Sequence, residues 1–122
     1  MEKMSPQLRH QLSQFRQAQQ QAQMLMSQRQ QLDVLLHETE HAAGELIKLP
    51  DDAVVYKSVG PLLVKAEKNE LKKSLDEQKE TLDIRVKTLE RQSERAVQRL
   101  KEMQDKIEAA LKGLPTGEGT VS

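Results

Sequence analysis

Cysteine and tryptophan are absent from this sequence, and Phe15 and Tyr56 are its only aromatic residues. Without thiols there is no disulfide, no thiolate metal site and no cysteine nucleophile. Two aromatic side chains in 122 residues are too few to fill an ordinary globular core. Glycine and proline are scarce as well. Between Pro6 and Pro50 the only breaker is Gly44, and from Leu62 to Lys112 there is none. Excess charge of one sign is missing, since 19 Lys and Arg balance 19 Asp and Glu. The whole chain is therefore not drawn to nucleic acid or to an anionic membrane. Long apolar runs are missing too, which excludes a signal-peptide core and a membrane span. A soluble, cytoplasmic protein of one domain, residues 1–122, is expected.

What is present is organised around the stretch from Asp51 to Lys68. Val54, Val55, Tyr56, Val59, Leu62, Leu63 and Val64 crowd together there, interrupted by Gly60-Pro61. Branched and aromatic residues around such a breaker predict two short strands and a turn, a β-hairpin at about 53–66. An isolated hairpin is marginal in water. It is expected to complete its sheet with hairpins of other subunits.

The flanking segments read as helices. Ser5 is a good N-cap with Pro6 in the first turn, which predicts a helix over about 6–48, ended by Leu49-Pro50. Alternating steps of three and four from Leu8 reach Phe15, Ala18, Ala22, Leu25, Leu32, Leu36, Ala43 and Leu46, a heptad seam broken by Gln11, Arg29 and Thr39. A second helix is predicted over about 69–112, with Asn69 as N-cap, Gly113 just past its end and a disordered tail over 113–122. Its seam runs through Leu75, Leu82, Val86, Leu89, Ala96, Leu100, Met103, Ile107 and Ala110 to Leu114, with Lys79 and Ser93 as the polar exceptions. The seams fit as an antiparallel pair with residue i opposite residue 118 − i. Phe15 then faces Met103, Ala22 faces Ala96, Leu32 faces Val86 and Leu36 faces Leu82. The fold class is mainly α: a long antiparallel two-helix coiled coil with one central β-hairpin.

Between Lys3 and Leu32 the first helix is rich in glutamine and carries Lys3, Arg9, Arg16 and Arg29 but no acid. Four spread cations are a weak footprint for nucleic acid, so a solvated face is the expectation. At the far end of the predicted rod lie Leu8, Leu12, Ile107, Leu111 and Leu114. Leu12 and Leu111 stand outside the seam. Helix ends fray, so these groups are expected to be partly exposed. Exposed apolar groups suit a site for another protein, and equally the mere closure of a coiled coil.

One catalytic pattern needs weighing. His37-Glu38-Thr39-Glu40-His41 matches the zinc-protease spacing H-E-x-x-H, in which two histidines share a helix face and the glutamate is a general base. The heptad places His37 and His41 away from the partner helix, with no third ligand or cleft. A solvated face is expected, and with it no metal, no cofactor and no enzyme activity. There is no glycine-rich phosphate loop.

The run Val55-Tyr56-Lys57-Ser58-Val59-Gly60-Pro61-Leu62-Leu63-Val64-Lys65 resembles the signature of prefoldin β-class subunits of archaeal type: an aromatic-lysine pair, a hydrophobic residue, Gly-Pro, an apolar triplet and lysine. Its placement midway between two matched heptad arms extends the resemblance over about Leu8 to Leu111. The acid-free, glutamine-rich half-helix departs from it. The resemblance implies four β subunits joined to two α-class subunits in a hetero-hexamer, with the hairpins forming an inter-subunit β-barrel. It implies an ATP-independent chaperone, a holdase that captures unfolded client proteins at its coiled-coil tips and passes them to a group II chaperonin. Val54, Tyr56, Val59, Leu62 and Val64 would build the assembly platform. Leu8, Leu12, Ile107, Leu111 and Leu114 would face the client. The alternative is a structural coiled-coil adaptor that oligomerises through its hairpin and binds one native partner.

Overall fold

A computed structural model describes residues 5–113. Its elements run α1 (Pro6–Ile47), β1 (Val55–Val59), β2 (Leu62–Ala66) and α2 (Lys68–Lys112). Leu114 and the rest of the expected tail lie outside the described residues.

α1 begins as its first residues dictate. The Arg9 amide makes the first helical bond, to the Ser5 carbonyl at 3.0 Å, and the Leu8 amide donates to Ser5 Oγ at 3.0 Å, so the serine side chain satisfies one of the donors that a helix start leaves open. Past Ile47 the chain tightens. The Lys48 and Leu49 amides reach back three residues, to the carbonyls of Glu45 and Leu46.

α2 starts one residue earlier than its expected cap at Asn69. The Leu71 amide bonds the Glu67 carbonyl at 3.0 Å, which makes Glu67 the cap residue and puts Lys68 in the first turn. Lys68 is held there by its own side chain. Its ammonium donates to the Leu49 carbonyl at 2.6 Å and to Asp51 Oδ1 at 3.2 Å. It is the one buried charge among the described residues, and it satisfies a carbonyl in the turn that follows α1. The Gly113 amide bonds the Ala109 carbonyl at the far end of α2.

The chain divides into two compact units. The hairpin unit comprises residues 28–89; the terminal unit combines residues up to 27 with those from 90 onward. In the hairpin unit Leu32, Leu36 and Val86 form a buried cluster with Leu82 and Leu89 packed against it. Leu32 with Val86 and Leu36 with Leu82 are pairs that the 118 − i register sets opposite one another. Lys79 also reaches Glu40 across the helices, at 3.9 Å. In the terminal unit Leu8, Ala22, Ser93 and Ile107 are buried. Apart from Lys68, every buried side chain of α1 and α2 falls on the heptad seam. Small and aliphatic residues repeated at that spacing thus do the work that aromatic bulk does elsewhere.

Candidate functional site

β1 and β2 pair antiparallel, with Val55 opposite Ala66, Lys57 opposite Val64 and Val59 opposite Leu62. Gly60, at φ +58°, and Pro61 form the two-residue connection. A positive φ at the first central position is what a type II′ hairpin turn requires, and its twist matches that of the strands. A side chain at Gly60 would meet open space but a strained backbone.

Side chains alternate across a strand, so this register sorts the hairpin into two faces. Val55, Lys57 and Val59 share one with Leu62, Val64 and Ala66. Tyr56 and Ser58 share the other with Leu63 and Lys65. The five residues picked out by sequence are therefore not one surface. Val59, Leu62 and Val64 lie together, Tyr56 lies on the opposite face, and Val54 precedes β1. Leu63, 73% exposed, belongs beside Tyr56 and was missed by the sequence reading, although the apolar triplet Leu62-Leu63-Val64 signalled it. Of the strand residues only Val55 is buried. Tyr56 and Leu62 are 59% and 63% exposed, and Val54, Val59 and Val64 are exposed as well. The sheet has just these two strands, so the outer edge of each has no strand beside it among the described residues.

In the terminal unit the expected exposure needs correction. Leu8 is 2% exposed and Ile107 7%, because both sit on the seam and are covered by the facing helix. Leu12 is half-buried and Leu111 is 46% exposed, as their places beside the seam dictate. Leu114 lies outside the described residues.

His37, Glu38 and His41 lie on an exposed face of α1 in the hairpin unit. His37 Nδ1 donates to the Asp33 carbonyl at 2.7 Å, an ordinary bond to the preceding turn. Among the described residues no three His, Cys, Asp or Glu side chains are grouped to hold a metal ion. No helix among them is long and apolar enough to cross a membrane.

Comparison with known proteins agrees with this architecture. Residues 9–113 match the family model described as prefoldin subunit. The prefoldin subunit beta of Methanothrix thermoacetophila is 44% identical over 110 residues, covering 90% of this chain and 92% of the relative. That of Archaeoglobus fulgidus is 44% identical over 111 residues, covering 91% and 96%. The crystal structure of the prefoldin beta subunit from Thermococcus strain KS-1 superposes with a TM-score of 0.81 at 42% identity, over 88% of this chain and 95% of that one. The beta2 subunit of the same strain shares the fold, with a TM-score of 0.67 at 20% identity. Two long helices joined through an exposed apolar hairpin, matched by these relatives over nearly their whole length, place this chain in the prefoldin subunit family, among its β subunits.

Proposed function

We propose that this prefoldin subunit works as one arm of an ATP-independent holdase in the cytoplasm. Four copies join two α-class subunits, their hairpins closing into an inter-subunit β-barrel. The observation that carries this reading is the hairpin. A ten-residue sheet with free edges and apolar side chains mostly exposed is costly to leave in water. Burying one Leu or Val side chain contributes about 1.5–3 kcal/mol, so pairing with other hairpins relieves a large penalty. Assembly gathers several arms, and each offers apolar groups, Leu12 and Leu111 first and Leu8 and Ile107 as the ends of the helices fray, with Leu114 the fifth proposed contact. Weak contacts at several arms together hold a non-native chain without any tight single site, and release to a group II chaperonin needs no fuel.

The burial of Leu8 and Ile107 favours a second reading, in which the end of the coiled coil is closed and the protein is an adaptor for one native partner. Aggregation suppression separates the two. Two unrelated denatured proteins are diluted into buffer with this chain, alone and with an α-class partner, without nucleotide. A holdase protects both, best at about two chains per partner chain, the proportion that four β and two α subunits require. An adaptor that is folded and oligomeric protects neither.

A further inference from the structure

We propose that the terminal unit carries a second client contact, a groove of amide and cationic side chains that takes extended, acidic stretches of a non-native polypeptide. The inference rests on the client-capture reading and adds the chemistry of the client to it.

Two stripes make the groove. On α1, Gln11, Gln14, Ala18, Gln21 and Leu25 follow one another at steps of three and four. On α2, Gln92, Arg95, Arg99, Glu102 and Lys106 do the same. Such spacing puts each set on one face of its helix. The fold lays the stripes side by side. Gln11 and Gln14 line one open cavity with Arg99, Glu102 and Lys106, and Ala18, Gln21 and Leu25 line a second with Gln92, Arg95 and Arg99. Arg99 borders both, so the two cavities adjoin at this side chain. From Gln11 to Leu25 a helix rises about 21 Å, the length of roughly six residues of extended chain.

The charge of this groove is unspent. Ion pairs such as Arg29 with Asp33 and Lys87 with Asp83 lie in the hairpin unit and use none of the groove's cations. Arg95, Arg99 and Lys106 are exposed and make no ion pair among the described residues. α1 brings no acid to face them, since none occurs between Ser5 and Leu32. Glu102 is the one acid on either stripe. Over the described terminal unit eight cations stand against five acids, a net charge of +3.

These groups suit one occupant. A glutamine amide both donates and accepts, so it can bond the peptide groups of an extended chain whatever its sequence. Guanidinium forks bind carboxylates in bidentate fashion. Single-stranded nucleic acid, the other polyanion, is recognised largely by stacking on aromatic rings, and this unit offers only the half-buried Phe15.

The test uses the full chain assembled with its α-class partner. Binding of two labelled unfolded peptides of equal apolar content is followed by fluorescence anisotropy, one peptide with acids at alternate positions and the other with serine there. The acidic peptide should bind more tightly at low salt and lose that advantage by about 0.5 M salt, where screening acts within a few ångströms. The variant Arg95→Gln/Arg99→Gln/Lys106→Gln should bind the acidic peptide about five- to tenfold more weakly, the scale of three exposed charge pairs. It should hold the serine peptide as before, with unchanged helix content. Lys72→Gln/Lys73→Gln, in the hairpin unit, should alter neither. Equal affinity for the two peptides, equal weakening of both in the triple variant, or tighter binding of a single-stranded RNA would overturn the proposal. If neither peptide binds at all, the client-capture reading falls and the groove falls with it.

Discussion

Ser93 shows what one residue decides. It lies on the α2 seam, 5% exposed, and its hydroxyl has no hydrogen-bond partner among the described residues. A buried hydroxyl without a partner costs on the order of 1–3 kcal/mol. Serine is also a weaker helix former than alanine. Ser93→Ala should therefore stabilise the chain by about 1 kcal/mol, raising the melting midpoint followed by circular dichroism by about 4–8 °C. A lower midpoint would mean that the hydroxyl makes a bond in solution. The heptad pattern had already marked Ser93 as an exception, because periodicity is a local property of the sequence. Lys68 could not be read that way. Its partners are the Leu49 carbonyl and Asp51, which only the folded connection brings near. For the same reason α2 starts at Lys68 and not at the better cap residue beside it.

At the scale of elements, the helices and the hairpin were legible and the hairpin's faces were not. The helices follow from propensity interrupted only at Gly44, a serine cap, and the breakers Pro50, Gly60 and Pro61 that separate them. Faces depend on strand register. Register depends on the turn being two residues long with Gly60 at positive φ, which composition does not determine. The register makes a sharper prediction about the hairpin. Tyr56→Asp and Leu62→Asp place a charge on opposite faces. Should both faces be covered in the assembly, each substitution abolishes the oligomer in light scattering while helix content is retained, because burying an unpaired carboxylate is prohibitive. If only Leu62→Asp dissociates the oligomer, the Tyr56 face is open to solvent. Exposure at the helix ends was half legible: position beside the seam identified Leu12 and Leu111 as accessible. The burial of Leu8 and Ile107 follows from the facing helix that covers seam positions, and the fraying argument overlooked it.

For the molecule as a whole, the proposed holdase reading couples assembly to capture. An arm whose apolar end offers a half-buried leucine and an exposed one cannot hold a client tightly by itself. Joined arms present their contacts at a high effective concentration, which raises avidity by about 10²–10⁴ with no new contact. On that reading the hairpin and the residues proposed to face the client should be separable in sequence yet inseparable in function. A hairpin variant that stays monomeric, with Leu8, Leu12, Ile107 and Leu111 untouched, should lose at least about a hundredfold in apparent affinity for an unfolded protein measured by competition. Replacing those three leucines and the isoleucine by serine in an assembling chain should weaken capture while leaving the oligomer intact. A monomeric variant that captured clients as well as the assembled protein would show that one arm suffices, and the exposed hairpin would then need a different purpose.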